Sequence, residues 1–194
     1  AAWRGGGVHR VVSSPFLCCL QTAAACIEGM PSPGIRVQID NGLCQVYNAS
    51  VLNLKTGQGR PDILSPQQME AALPGRLNLM CPSPVPMPGW GETGGGKDGG
   101  EAARRFVSAI NRICDSNPNE DLALFTHGDA ITATISAIKQ GICVYRSDFG
   151  CCLHLRRSAA QGGQPAGPWY IIDHKGIEWM ADSAIPREKL QGPR

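Results

Sequence analysis

Chemistry in this chain concentrates first at a histidine that ends an apolar run. Within Asp121 to Thr134 (DLALFTHGDAITAT), Leu122-Ala123-Leu124-Phe125 are four consecutive apolar residues, the pattern of a short strand buried on both faces. Thr126-His127-Gly128-Asp129 breaks that run. Ala130, Ile131, Thr134, Ile135 and Ile138 then recur at helical spacing, with Asp129 placed to cap the helix or enrich its first turn. The prediction is strand, tight turn, helix, with His127 at the carboxyl end of the strand. In open α/β sheets ligands bind at that end, and the N–H groups opening the next helix favour an anion. His127 either faces a negatively charged ligand or only satisfies local hydrogen bonds.

Two other spacings suggest chemistry and fail on context. Cys151 and Arg157 match the CxxxxxR of cysteine phosphatases, which needs a glycine-rich loop of N–H groups around the phosphate; Cys152-Leu153-His154-Leu155-Arg156 has no glycine and alternates like a strand. Gly89-Trp90-Gly91-Glu92-Thr93-Gly94 satisfies GxGxxG. A dinucleotide site requires a strand before it and a helix directly after, and a proline-rich run precedes it instead. Both are set aside.

Composition narrows the class. The 194 residues suffice for one domain with a real core, and 42% hydrophobic and 18% charged residues are ordinary for a globular protein. A net charge of +2 with no Lys/Arg run argues against nucleic acid or an anionic membrane as partner. No apolar run approaches the ~20 residues of a membrane span, and no signal peptide is visible. The nine cysteines are odd in number, include the adjacent pairs Cys18-Cys19 and Cys151-Cys152, and form no CxxC. That argues against a disulfide framework or zinc cluster and for reduced thiols in a cytoplasmic protein, with no metal expected.

The elements that would position His127 follow in order. His9 to Ser13 reads as a strand, then a helix to Glu28 with Ser14 as N-cap and Pro15 at its first position. Ile35 to Asp40 alternates as a strand with one solvated face, Leu43 to Tyr47 fits neither helix nor strand, and Ser65-Pro66 opens a short helix to Leu73. Pro82 to Gly100 is a long, flexible Gly/Pro-rich loop, an insertion or lid. Glu101 to Ser116 is an amphipathic helix, Phe149 to Arg156 a strand, and Trp169–Asp173 and Ile177–Met180 a hairpin turning at His174-Lys175-Gly176; 182–194 is a polar tail. The alternation predicts one α/β domain over 1–194, three-layer α/β/α with a mostly parallel central sheet.

Three stretches together resemble the histidine phosphatase (phosphoglycerate mutase-like) superfamily. Ser13-Ser14-Pro15-Phe16-Leu17-Cys18-Cys19-Leu20-Gln21-Thr22-Ala23 resembles its S-P-x-x-R-[CA]-x-x-T-A. Thr126-His127-Gly128-Asp129 resembles its second-histidine motif, and Asp40-Asn41-Gly42-Leu43-Cys44-Gln45 its G-L-x-E segment. The resemblance implies phosphomonoester chemistry through a phosphohistidine, without metal or organic cofactor, on a phosphorylated small molecule or phosphoprotein. It implies a catalytic role for His127, phosphate contacts from His127 and Gly128, a guanidinium at position 18 and an acid at position 45.

The chain departs from that pattern at the charged positions. No Arg-His-Gly occurs in it, Cys18 stands where the arginine is expected, and Gln45 stands where the acid is expected. A thiol replaces a bidentate cation, and an amide cannot deliver the proton that general acids use for ~10²–10⁴ in rate. Arg36, Arg60 and Arg146 are substitutes by type. The family's nucleophile strand would lie beside the strand ending at His127. Its absence predicts unpaired backbone at Val11-Val12 and Leu122–Phe125, and, with Ala1 rather than Met at the start, an amino-terminal truncation. Two readings stand: an enzyme completed by further chain, and a catalytically inactive phosphate- or protein-binding module.

Overall fold

Val11 and Val12 are the centre about which the layers form. The computed structural model describes residues 7–31, 34–55, 58–94, 100–161 and 163–184. Its elements are β1 (Arg10–Ser13), α1 (Leu17–Glu28), β2 (Val37–Ile39), α2 (Pro66–Ala72), α3 (Glu101–Asp115), β3 (Leu122–Phe125), α4 (Gly128–Ile138), β4 (Ile142–Arg156) and β5 (Tyr170–Ala181). Strand β1 pairs in parallel with β2 on one side and β3 on the other. Because successive strand residues point to opposite faces, Val11 packs with Leu20, Ala23 and Ile27 of α1 and Met69 of α2. Val12 packs on the other face with Ala109, Ile110 and Ile113 of α3. A third cluster joins Ala130 and Ala133 of α4 to Val46 and Phe106. This is the α/β/α layering expected, with a parallel central sheet of three strands.

Several local expectations change. The backbone of β1 is not left unpaired: it lies between β2 and β3, with Arg10 to Ser13 opposite Leu122 to Phe125 in continuous register, and the Ser14 N–H donates to the Phe125 carbonyl at 2.8 Å. The outer edge of β3 has no strand beside it among the described residues. Among the described residues β3 is the edge strand, so its four residues are half-buried, not buried on both faces. The last strands do not join the main sheet or turn at His174-Lys175-Gly176. They form one long antiparallel ribbon, β4 against β5, in which Gly176 (φ +68°) sits at a bulge opposite Asp148–Cys151. A left-handed glycine serves a bulge as well as a turn, and the strand continues through it. Cys151 and Arg157 accordingly belong to a strand and its end, and Arg157 stacks on Trp169, 4.3 Å from the ring centroid.

The expected flexible loop is tied down where it is described. Ser83 Oγ accepts from the Asn41 N–H, and the Asn41 side chain donates to the Val85 carbonyl. Trp90 meets Tyr47 edge-on at 5.1 Å, and Glu92 binds Arg105 through both carboxylate oxygens at 2.7 Å. Residues 95–99 of that loop, and 185–194 of the predicted polar tail, lie outside the described residues. No helix among the described residues is long and apolar enough to cross a membrane.

Residues 41–47 form one 3₁₀ turn (Asn41–Leu43) and then irregular chain, with Leu43, Cys44, Val46 and Tyr47 buried. Buried backbone without a ladder must find other partners. Arg105 supplies them, donating to the Gly42 and Cys44 carbonyls at 2.8 Å each. Two turns along the same helix face, at i+7, Arg112 binds both oxygens of Asp40, whose Oδ1 also accepts the Gly42 N–H.

The Arg105–Glu92 pair is largely buried, with side chains 16% and 7% exposed. Removing one partner leaves a desolvated charge, so Arg105→Ala or Glu92→Ala is expected to lower unfolding free energy by about 3–5 kcal/mol in urea titrations. The exposed Arg146–Asp148 pair gives the contrast: Arg146→Ala should leave the urea midpoint nearly unchanged. Equal losses from the two pairs would contradict the assigned role of the buried one.

Candidate functional site

Parallel pairing brings the carboxyl ends of β1 and β3 side by side, with Ser13 opposite Phe125. The residues that follow therefore meet. Ser14 is fully buried, and its Oγ lies 2.9 Å from His127 Nε2. It does not cap α1, whose N-cap is Phe16; instead its Oγ accepts the Phe16 N–H at 3.3 Å. The Phe16 ring stands edge-on to the imidazole at 5.3 Å. His127 is itself the N-cap of α4, and Asp129 falls in the first helical turn, one of the two places expected for it.

The first turn of α1 adds two thiols. Cys19 is buried, with Sγ 3.5 Å from His127 Nε2 and 4.0 Å from Nδ1. It donates to the Thr126 carbonyl at 3.4 Å. Cys18 is exposed, yet its sulfur joins the same group: the ligand atoms of Cys18, Cys19 and His127 all lie within 4.8 Å of one another. All nine cysteines are free thiols.

Burial sets the charge state. Desolvation pushes the His127 imidazole down to about 4, and the nearby positive charge of Arg105 acts in the same direction. Desolvation pushes the Cys19 thiol up to about 12, with Cys18 adding to the effect. Asp129 is raised by burial as well. At neutral pH the centre of this site is an uncharged imidazole beside an uncharged buried thiol.

Of the residues expected at the site, His127 and Cys18 are brought together. Gln45 enters the hydrogen-bond network through its backbone carbonyl, which accepts from Arg105 Nη2 at 3.5 Å. Gly128 lies against β4: a Cβ there would stand 2.7 Å from Ser147 Oγ, a contact that rotation of the serine hydroxyl relieves. None of the three substitute arginines is placed at His127. Arg36 lines a cavity with His9, Arg10 and Ile35 at the amino ends of the parallel strands, Arg60 lies near Tyr47, and Arg146 is paired with Asp148 and Glu178. The residues that were not anticipated are Cys19 and Arg105. A signal for Arg105 existed in its i, i+7 spacing to Arg112 on one helix face.

The sign of the His127 shift fixes a pH dependence. Its folded value, about 4, lies below the ~6.5 of an unfolded histidine, so the unfolded chain binds more protons between the two. Stability from this group is fully present above pH ~6.5 and falls as pH drops toward 4, by roughly 2–3 kcal/mol. Urea midpoints measured across that window should decline in the parent chain and flatten in His127→Gln. An unchanged slope in the variant would assign the effect to another group.

A family model, "Histidine phosphatase superfamily (branch 1)", matches residues 1–144. No individual curated protein matches. The match covers most of the 194 residues, spans both the Ser14-Pro15 segment and the His127 turn, and agrees with a parallel sheet carrying the histidine at its carboxyl edge. The chain belongs to the histidine phosphatase superfamily.

Proposed function

We propose that these 194 residues act as a binding module built on the histidine phosphatase fold, and do not by themselves turn over phosphomonoesters. The observation that carries this reading is the electrostatics around His127. Phosphoryl transfer requires fixed cations against the oxygens of the transferring group. Here the imidazole is neutral, position 18 is a thiol, and Arg105 and Arg112 are committed to Glu92 and Asp40. The bound species in this reading is a phosphorylated small molecule or phosphoprotein, met by His127 and the amino terminus of α4.

A second reading, phosphohistidine-based hydrolysis in a longer chain that supplies an Arg-His-Gly segment, is favoured by one observation. His127 keeps its position at the carboxyl end of β3, held by Ser14 from the neighbouring strand. Gln45 still stands at the acid position in that case, and the missing proton donor would slow turnover by ~10²–10⁴.

Aryl phosphate hydrolysis by the 194-residue chain is expected at background, with weak binding of phosphate or vanadate detectable by calorimetry. Cys18→Arg should tighten that binding by about 10–100-fold, the worth of a charge-assisted hydrogen bond. Turnover that His127→Ala abolishes would favour the enzyme instead. No gain from Cys18→Arg would remove position 18 from the phosphate site.

A further inference from the structure

The two thiols and the imidazole at the end of β1 and β3 form a ligand set that phosphate chemistry does not use. We propose that Cys18 Sγ, Cys19 Sγ and the His127 imidazole bind a soft divalent d¹⁰ cation, zinc, in a three-ligand site with its fourth position open on the Cys18 side.

The distances suit it. Zinc takes thiolate sulfur at ~2.3 Å and imidazole nitrogen at ~2.0–2.1 Å in a tetrahedron, which places sulfur and nitrogen about 3.6 Å apart. Cys19 Sγ stands 3.5 and 4.0 Å from the two ring nitrogens, and all three ligand atoms lie within 4.8 Å. Closing the set needs side-chain movement from Cys18, which is exposed, and from Cys19, whose sulfur stands 4.0 Å from Nδ1 and nearer to Nε2.

Supporting contacts are also present. Ligation through Nδ1 leaves Nε2–H to donate to Ser14 Oγ, the 2.9 Å contact already made. The Ser14 oxygen then accepts from Nε2–H and from the Phe16 N–H. Ligating histidines ordinarily have their second nitrogen held in this way. Both cysteines lie in the first turn of α1, and the metal itself displaces their protons on binding.

The balance closes without another reactant. Two thiols lose two protons to solvent, two Zn–S bonds and one Zn–N bond form, and no oxidation state changes. The resulting zinc dithiolate carries no net charge, which fits a part-buried site whose nearest arginines are already paired. CxxC spacing is absent because the ligands come from two elements: adjacent cysteines on one helix, and a histidine more than a hundred residues later.

The site stands independently of whether the chain hydrolyses phosphate, and its test does not use that activity. The reduced, metal-free 194-residue chain is titrated with Co²⁺ as a spectroscopic probe and with Zn²⁺ in competition. One equivalent should bind with thiolate-to-cobalt charge-transfer absorption, and zinc should displace it with release of about two protons from thiols. Cys18→Ser, at an exposed position that leaves the core untouched, should weaken binding by at least about 100-fold, more than the ~10–100-fold expected for Ser14→Ala. Cys26→Ser, exposed on the same helix, should bind as the parent does. Absence of the charge-transfer band, or binding unaltered by Cys18→Ser, would overturn the proposal and place any bound metal on other cysteines.

Discussion

The direct parallel pairing of β1 with β3 is the constraint on which the site depends. It pairs the facing backbone edges of two apolar strands and fixes their register at Val12 opposite Leu124 and Ser13 opposite Phe125. Each ladder bond contributes only about 1 kcal/mol net, but an orphaned buried group costs ~1–3 kcal/mol. A slip of one residue would also turn Val11 and Val12 to the wrong faces. With the register fixed, the chain leaving β1 and the chain leaving β3 arrive at one point. Ser14, the first turn of α1 and His127 are neighbours for that reason, although more than a hundred residues separate them in sequence.

A second constraint determines the charge of that point. The segment from Asp40 to Tyr47 is largely buried but belongs to no ladder; Arg105 donates to its Gly42 and Cys44 carbonyls and Thr126 Oγ1 to that of Leu43. Arg112 secures the same segment through Asp40. Both guanidiniums thus hold structure together and are unavailable to an anion. Arg105 nevertheless acts at a distance: its positive charge adds to burial in keeping His127 deprotonated. The arrangement that stabilises the loop therefore also makes the histidine neutral.

What could be read from the sequence follows the range of the interactions involved. Strand β3, the turn at His127 and helix α4 were legible because each is written in consecutive residues: an apolar run, a break, a helical period. The capping box of Ser65 and Gln68 is local in the same way. The hairpin at His174-Lys175-Gly176 was misread because a glycine of positive φ serves a bulge and a turn alike, and only the partner strand decides between them. Ser14 was misread for a related reason. Ser-Pro signals a helix start, and the helix does start there, but the hydroxyl is drawn to an imidazole from another strand. Cys19 carries no local signal of its role, and the i, i+7 spacing of Arg105 to Arg112 marks a helix face but not its partners, since both residues act on groups that the tertiary fold delivers.

The chemistry of the site follows from taking these constraints together. A phosphate dianion brought against a neutral imidazole and a neutral thiol must surrender hydration without meeting a full positive charge, and desolvating an unpaired charge is costly. Aligned amides at the start of α4 offset part of this, at ~0.3–1 kcal/mol for a helix end. A cation that displaces two thiol protons meets the opposite situation, because its charge is cancelled within the first layer of ligands. In the proposed reading, the thiol at position 18, where the family resemblance implies a guanidinium, both weakens the site for phosphoryl transfer and completes the proposed soft-metal ligand set. On that reading, the side-chain type at one position decides the kind of ligand the end of this sheet holds, while the β1–β3 pairing that presents it stays the same.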